Sequence, residues 1–395
     1  MASLGTASSR ERRIACVQLD SKHADVSRNI DTVLDLVSNL ILDRDSNSNK
    51  NSIDLLVLPE LALTGYVFET REEINPFLED ATTFLPPSSL FTSTSSSPST
   101  FITACRSSCA SSSSPSLTLG AHLAQQLRCH VVIGFPERIS HEESSSRAPS
   151  IGAYQSVTLT PPFDARPKDV RISSNGTVEA SPDQTVNYRA SNSAALFAPD
   201  GSLQHVFRKH FLFGTDEKWA SAGIEFGSIH IQNLANVCVA ICMDLNPFQF
   251  RTPFDYCELA SFCVQRDVDL LVMPMAWLLP KHQEPRVDSS PSLSTINYWA
   301  MRCLPFFNPQ TASTQPSSSA TAVGDAAVGD AAVGDANPLS SKMRYLAATN
   351  RVGTEVKPTF AGSSWVLQMK VGQRHLLLDS LGTKKEACLV VTLPP

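Results

Sequence analysis

Three side chains in this sequence could together hydrolyse an amide bond, namely those of Glu60, Lys209 and Cys242. Amide hydrolysis needs a nucleophile and a base that takes its proton and later protonates the leaving amine. It also needs a donor for the carbonyl oxygen as it becomes negative. A thiol, a carboxylate and an ammonium group can fill these roles. Sequence spacing alone does not show that the three groups meet.

Glu60 follows an apolar run over residues 55–58, which is typical of a short strand buried on both faces. A carboxylate delivered to the edge of a buried sheet is costly unless it is paired or functional. The alternative is that Glu60 is a helix cap or turn residue for the segment 61–66.

Cys242 repeats this arrangement, because it follows the apolar run 237–241 and precedes the polar turn 243–247. In open α/β sheets ligands bind at the carboxyl ends of strands. Backbone N–H groups of the next turn can lower the pKa of a thiol there and make it a nucleophile. The alternative is a plain buried thiol, which is the expected state of Cys238 on the same strand.

Lys209 lies among the aromatic and apolar residues of the segment 205–213. A lysine in such surroundings loses its hydration and needs an anionic partner. The alternative is a side chain at a strand edge whose ammonium reaches solvent.

Strand-like and helix-like segments alternate along the chain and predict an α/β domain. Helices are predicted over residues 30–41, about 256–266 and about 294–303. Strands are predicted at 14–19, 54–60, 131–135, 193–197, 237–241, 270–273, 345–349, 363–367, 374–378 and 387–392.

Three segments interrupt this alternation. Residues 84–118 are rich in Ser, Thr and Pro, residues 140–190 are polar, and residues 304–341 contain a five-residue repeat of small residues. Such compositions bury little apolar surface, so we interpret the repeat as a disordered insertion and all three segments as surface loops. The sequence therefore predicts one domain over 12–393 with three low-complexity insertions.

The 395-residue chain has a formal net charge of −6, which disfavours nucleic-acid binding. No segment approaches the roughly 20 apolar residues of a membrane helix, and residues 1–13 lack the apolar stretch of a secretion signal. The ten cysteines include no zinc-binding CxxC pair and favour a reducing compartment. We expect a cytoplasmic protein without a metal, membrane or nucleic-acid partner.

Three segments, in the order Glu, Lys, Cys, resemble the signature motifs of the carbon-nitrogen hydrolase (nitrilase) superfamily. They are residues 58–61 with 65–66, residues 208–209 with 212–213, and residues 241–244, with secondary marks at 273–277, 298–302, 350–353 and 360–364. The resemblance spans about 12–393. It implies a four-layer α-β-β-α sandwich that forms a monomer or a homodimer.

The resemblance also implies a role for each residue. Glu60 would deprotonate Cys242, which attacks the amide, while Lys209 and the backbone N–H of Met243 bind the oxyanion. A thioester on the cysteine would then be hydrolysed, with no metal or organic cofactor. Members of the superfamily often carry a second carboxylate shortly after the lysine, and here Asp216 and Glu217 are both candidates.

Residues 242–248 and 215–219 are similar to the fungal protein N-terminal asparagine and glutamine amidohydrolases. This similarity implies deamidation of N-terminal Asn or Gln to Asp or Glu, with release of ammonia, in the N-degron route of protein degradation. The α-ammonium of such a substrate calls for a fixed anion, for which Asp244, Asp216 and Glu217 are available. For Asp244 the alternative is a turn residue that bonds its own backbone.

Two other functions stay open at this point. A small-molecule ω-amidase or nitrilase would share the chemistry and differ in substrate. An inactive scaffold could keep the fold, although folding by itself does not require this trio of residues.

Overall fold

The computed structural model describes residues 11–45, 52–87, 97–140, 171–172, 178–179, 188–280, 290–307 and 342–394. Two six-stranded mixed sheets pack face to face, and helices cover the outer face of each sheet. The predicted four-layer sandwich is therefore confirmed.

The first sheet has a parallel centre and antiparallel edges. Its strands are β1 (Arg12–Gln18), β2 (Leu55–Val57), β3 (His130–Ser140), β6 (Tyr188–Phe197), β7 (Leu203–Arg208) and β14 (Ala387–Leu393), in the order β14-β1-β2-β3-β6-β7. Strands β1, β2 and β3 run parallel, so their carboxyl ends lie at one edge of the sheet.

The second sheet has the same plan. Its strands are β8 (Gly227–Ile231), β9 (Ala235–Val239), β10 (Leu270–Pro274), β11 (Met343–Thr349), β12 (Trp365–Lys370) and β13 (Leu376–Ser380), in the order β13-β12-β11-β10-β9-β8. Strands β9, β10 and β11 are parallel. A short pair, β4 (Arg171–Ile172) with β5 (Val178–Glu179), completes the described strands.

The helices are α1 (Val26–Asp45), α2 (Arg71–Ile74), α3 (Pro98–Ala110), α4 (Pro115–Leu127), α5 (Glu258–Gln265) and α6 (Leu293–Arg302). Helices α1, α3 and α4 pack on the first sheet, and α5 and α6 on the second. Within the described ranges no helix has the length and apolar character needed to cross a bilayer.

Alternating side chains on β1 show how the layers form. Ile14 and Cys16 face the core between the sheets, whereas Ala15 and Val17 face the helical layer. Because both faces are covered, residues 14–17 of the strand are all apolar, as expected for a strand buried between two layers.

The interpretation of residues 84–118 as a surface loop is wrong for residues 98–118. Ser97 caps α3, and the buried side chains of Phe101, Cys105 and Cys109 attach that helix to the core. Serine-rich helices form here because tertiary burial overrides weak helix propensity. Most of 140–190 and residues 308–341 of the repeat segment lie outside the described residues.

Candidate active site

Glu60 lies in the turn that follows β2, fully buried at the carboxyl edge of the first sheet. The sequence predicted a strand that ends at Glu60, but the observed strand ends at Val57. Glu60 therefore lies three residues beyond the end of the strand. The turn packs directly against Gly134 of β3, where an added Cβ atom would stand 2.6 Å from the Pro59 carbonyl oxygen and 2.7 Å from the Glu60 Cα. Only glycine admits this approach.

Lys209 follows β7, and its ammonium is shared between two buried carboxylates. The Nζ atom lies 2.6 Å from Oε1 of Glu60 and 2.6 Å from Oδ2 of Asp216. All three side chains are fully buried. The ammonium also stands 5.5 Å from the centre of the Tyr66 ring, within reach of a cation–π contact.

Two neutral donors complete this cluster. The Asn192 amide donates to Oε1 of Glu60 at 2.7 Å and to Oδ1 of Asp216 at 2.9 Å. The backbone N–H of Ala276, just after β10, donates to Oε2 of Glu60 at 2.7 Å. The carboxylate of Glu60 is thus fixed by residues from both sheets.

Cys242 begins the short 3-10 helix Cys242–Leu245, beyond the end of β9. Its backbone has a φ of 45°, the left-handed region that non-glycine residues seldom adopt. Such outliers are often found at functional sites. Cys242 lines the same cavity as Ala276, whose N–H donates to Glu60, and as Tyr66, whose ring lies beside the Lys209 ammonium. The charges of Glu60 and Lys209 act on the thiol, so the three predicted residues belong to one neighbourhood.

The pKa values of Glu60 and Lys209 are both raised, but for different reasons. Burial raises the pKa of Glu60, and the Asp216 charge adds to this effect while Lys209 opposes it. For Lys209, burial acts to lower the pKa, but Asp216 and Glu60 outweigh it and hold the pKa well above its ordinary value. The lysine therefore stays cationic while Glu60 is a stronger base than an exposed glutamate.

The Cys242 thiol is not activated in advance. Burial and the Glu60 charge raise the pKa of Cys242 well above its ordinary value, although Lys209 and the Ala276 N–H act in the opposite direction. The sequence-based expectation of a lowered thiol pKa is therefore wrong, because burial dominates. A neutral thiol needs a base to become a nucleophile.

A cavity of about 430 Å³ opens beside the thiol. Its wall is mostly aromatic and apolar, with a few polar groups, as is usual for small-molecule sites. The residues that line the cavity include Cys242, Asn246, Phe250, Trp277, Ser294 and Tyr298.

The structure separates the two candidates for a second carboxylate. Asp216 is fully buried against Lys209, and it also accepts hydrogen bonds from the Tyr66 hydroxyl at 3.3 Å and the Phe213 N–H at 3.0 Å. Glu217 is exposed to solvent. Asp216 is thus the carboxylate that joins Glu60 in binding the Lys209 ammonium.

Asp244 does not line the cavity. Its carboxylate accepts hydrogen bonds from three backbone N–H groups, those of His210 at 3.0 Å and of Phe211 and Ile241 at 2.7 Å each. These bonds tie the Cys242 turn to the segment after Lys209. The turn-residue alternative therefore describes Asp244 better than an ammonium-binding role. Met243 directly follows Cys242 in the chain and lines the same cavity.

Asn246 and Tyr298 form a neutral pair on the cavity wall. The Tyr298 hydroxyl donates to Oδ1 of Asn246 at 2.6 Å, and the Asn246 amide nitrogen donates to the Met243 sulfur at 3.2 Å. Tyr298 lies on α6 and packs against Trp277, with 5.6 Å between the ring centres.

Another buried carboxylate, that of Glu355, holds the backbone of Tyr66, which lines the cavity. It accepts the N–H groups of Tyr66 at 2.8 Å and Val67 at 2.7 Å, and it pairs with Arg351 at 2.7 Å and with His23 at 2.8 Å. This network fixes the backbone that carries Tyr66.

Sequence reasoning did not find Asn192, Asn246 or Tyr298 as site residues. Asn192 had one visible signal, because it stands in a run of three polar residues, 191–193, directly before an apolar strand segment. Tyr298 begins the segment 298–302, which is a secondary mark of the superfamily resemblance, but that resemblance gave it no role in the site. Among the described residues, no group of three or more His, Cys, Asp or Glu side chains is arranged to hold a metal ion.

Comparison with known proteins agrees with this geometry. Residues 13–161 match the profile of the family described as carbon-nitrogen hydrolase. The chain is 29% identical over 313 residues to the protein N-terminal amidase of Schizosaccharomyces pombe, covering 76% of this chain and 82% of that protein. It is 23% identical over 243 residues to the protein N-terminal amidase of Saccharomyces cerevisiae, covering 57% of this chain and 36% of that protein.

Solved structures show the same fold. A crystal structure of an N-terminal amidase superposes with a TM-score of 0.62 at 19% identity, over 97% of both chains. Crystal structures of N-terminal amidase with a Gln-Gly peptide and with an Asn-Glu-Ala peptide also match, each with a TM-score of 0.61.

Proposed function

We propose that this chain is a carbon-nitrogen hydrolase that deamidates N-terminal Asn and Gln in peptides and proteins. The products are N-terminal Asp or Glu and ammonia. The observation that carries this proposal is the buried Glu60–Lys209–Cys242 cluster at the base of a cavity of about 430 Å³, in a chain whose relatives are N-terminal amidases.

The first half-reaction begins when Glu60 takes the thiol proton of Cys242. The thiolate attacks the side-chain amide carbon, a C–S bond forms, and the C=O π electrons move onto the oxygen. Lys209 and the N–H of Met243 stabilise this oxyanion. When the intermediate collapses, the C–N bond breaks and Glu60 returns its proton to the departing nitrogen as ammonia leaves.

The second half-reaction uses the same groups. Glu60 takes a proton from water as the oxygen attacks the thioester carbon. The C–S bond then breaks, Glu60 returns its proton to the departing thiolate to regenerate the Cys242 thiol, and the new carboxylic acid loses its proton to solvent. A carboxylate then stands where the amide was. Every step is assigned to groups of this chain, and the raised pKa of Glu60 suits a residue that both accepts and returns a proton near neutral pH.

The cellular role follows from the product. Conversion of N-terminal Asn or Gln to Asp or Glu turns a tertiary destabilising residue into a secondary one in the N-degron route. We propose a cytoplasmic location, because many thiols without a zinc motif fit a reducing compartment. From the family resemblance we expect a monomer or a homodimer.

The test is ammonia release from a short peptide that begins with Asn, measured beside free Asn and beside the Cys242→Ala variant. We expect turnover of the peptide, little turnover of the free amino acid, and none by the variant. Equal turnover of free Asn and peptide would favour the small-molecule ω-amidase. A chain inactive on both would be a scaffold that has kept the fold.

A further inference from the structure

The geometry points to the amide oxygen of Asn246, supported by the Tyr298 hydroxyl, as the group that binds the α-ammonium of the substrate. This inference rests on the proposed function and adds the feature that would restrict it to N-terminal residues. Recognition would thus use neutral acceptors and aromatic faces, where the sequence had suggested a carboxylate.

The position of Asn246 fits this role. It directly follows the 3-10 helix that Cys242 begins, and both side chains line the same cavity. Glu60 and Lys209 are occupied with the nitrogen and the oxygen of the scissile amide in the proposed reaction. The α-nitrogen of Asn or Gln is only a few bonds from the amide carbon, so its partner must be another group close to the thiol.

The hydrogen bonds around Asn246 leave its oxygen able to accept. The amide nitrogen is directed to the Met243 sulfur, and the oxygen accepts from Tyr298 at 2.6 Å. A carbonyl oxygen has two acceptor sites, so one remains for an ammonium N–H. Burial raises the pKa of Tyr298, so the phenol stays protonated and keeps donating at neutral pH.

The acids of the site are already committed. Asp216 is bonded to Lys209, Asp244 to three backbone N–H groups, and Glu217 is exposed. Among the residues that the structure describes, no carboxylate lines the cavity. The rings of Trp277 and Tyr298, 5.6 Å apart, can instead offer their negative faces to a cation.

A neutral acceptor also suits the chemistry. A free carboxylate beside Cys242 would oppose formation of the thiolate, as Glu60 already does. An amide oxygen attracts the ammonium without that penalty. The turn is held in place, because Arg302 donates to the Leu245 carbonyl at 2.7 Å and pairs with Glu258 at 2.7 Å. A preorganised acceptor loses little entropy on binding.

The experiment compares two substrates, a peptide that begins with Asn and a des-amino analogue in which hydrogen replaces the α-ammonium. The variants are Asn246→Leu, Asn246→Asp and Tyr298→Phe. The matched control is Tyr345→Phe on β11, away from the cavity. It removes a hydroxyl that donates to the Pro394 carbonyl.

We expect Asn246→Leu to lower kcat/KM for the free-amine peptide by about 10- to 100-fold and to leave the des-amino analogue within about twofold. Asn246→Asp should keep the ratio of the two kcat/KM values, because it keeps an acceptor at this position. Tyr298→Phe should lower the ratio by a few fold, and Tyr345→Phe should not change it.

The inference is overturned if Asn246→Leu and Tyr298→Phe leave this ratio unchanged, or if the wild-type chain hydrolyses both substrates equally. In the latter case the chain is an amidase without selection for an α-amine. If the wild-type chain releases ammonia from neither substrate, the proposed function itself fails. Alkylation of Cys242 by iodoacetamide and the melting temperature verify that each variant is folded.

Discussion

Two buried glutamates in this molecule have similar surroundings and opposite electrostatics. Glu60 and Glu355 are both almost inaccessible to water, and each accepts backbone N–H groups and pairs with a cation. Burial raises the pKa of Glu60, and the net shift is upward. Burial acts the same way on Glu355, but Arg351, the Val67 N–H and His23 reverse it, so its pKa is lowered.

The difference lies in how cations are distributed. The first cluster consists of Glu60, Lys209 and Asp216, and in it one ammonium is shared between two carboxylates. The second cluster consists of Glu355, Arg351 and His23, and in it one carboxylate has both a guanidinium and an imidazole beside it. A carboxylate with surplus partners is fixed in its ionised form and suits a structural role. A carboxylate that must share its partner can exchange a proton, which catalysis requires.

Removal of the nucleophile has the largest expected effect on activity. Cys242→Ala should lower ammonia release by at least about 10⁴-fold, because no other group in the proposed route forms the thioester. Cys238→Ala, a matched control on β9, the strand that precedes Cys242, should retain activity since Cys238 faces the core. Equal loss in both variants would mean that packing of this strand, and not the Cys242 thiol, limits the rate.

Glu60→Gln and Glu355→Gln test the comparison directly. Glu60→Gln should lower kcat by about 10²- to 10⁴-fold with little loss of stability, because a base is lost from a cluster that already holds excess negative charge. Glu355→Gln should cost about 3–5 kcal/mol of unfolding free energy, because it leaves the buried Arg351 guanidinium without its counter-charge. Urea unfolding and steady-state kinetics measure both; a reversed pattern would contradict the assignment of roles.

Asp216→Asn should make the first cluster resemble the second. Activity requires ionised Glu60, so it is lost as the pH falls through the raised pKa of that residue. Without the Asp216 charge that pKa falls, and the acid limb of kcat/KM should move to lower pH. We also expect kcat to drop about tenfold because Lys209 loses one of its two anchors.

Glu217→Gln is the control for Asp216→Asn, since Glu217 is the exposed neighbour of Asp216. It should leave the acid limb in place. If the limb of Asp216→Asn also stays in place, the Asp216 charge does not set the pKa of Glu60.

His23→Ala should have the smallest effect. The imidazole is about one-third exposed, and Glu355 keeps Arg351 and two backbone donors without it. The expected loss of stability is below about 1 kcal/mol, with activity unchanged. A loss as large as that of Glu355→Gln would show that the second cluster has no surplus of partners.

The three residues proposed to react were easier to predict than the residues that hold them in position. Glu60, Lys209 and Cys242 stand next to short apolar runs or aromatic segments, so local pattern and family motifs both marked them. Asn192 and Ala276 act through long-range contacts with Glu60 that join separate strands, and no local pattern reports such contacts. The raised thiol pKa depends on burial by both sheets and could not be inferred from one strand.

For the fold, apolar periodicity found most central strands and the helices α1, α5 and α6. It did not find β7 and β8, whose residues are only partly buried and alternate weakly. Helix α3 was hidden by a composition typical of loops, although three buried side chains anchor it. Composition describes what a segment prefers alone, and tertiary packing decides what it does in the sandwich.

Gly134 extends the set of positions at which this protein can be inactivated. It has no side chain to react or bind, yet a single methyl group there would stand 2.7 Å from the Cα of Glu60. Displacement of a reacting group by about 1 Å can cost about 100-fold in rate. In a survey of natural variants, alanine at this position should therefore be counted with the loss-of-function alleles, although the encoded protein keeps every reactive residue.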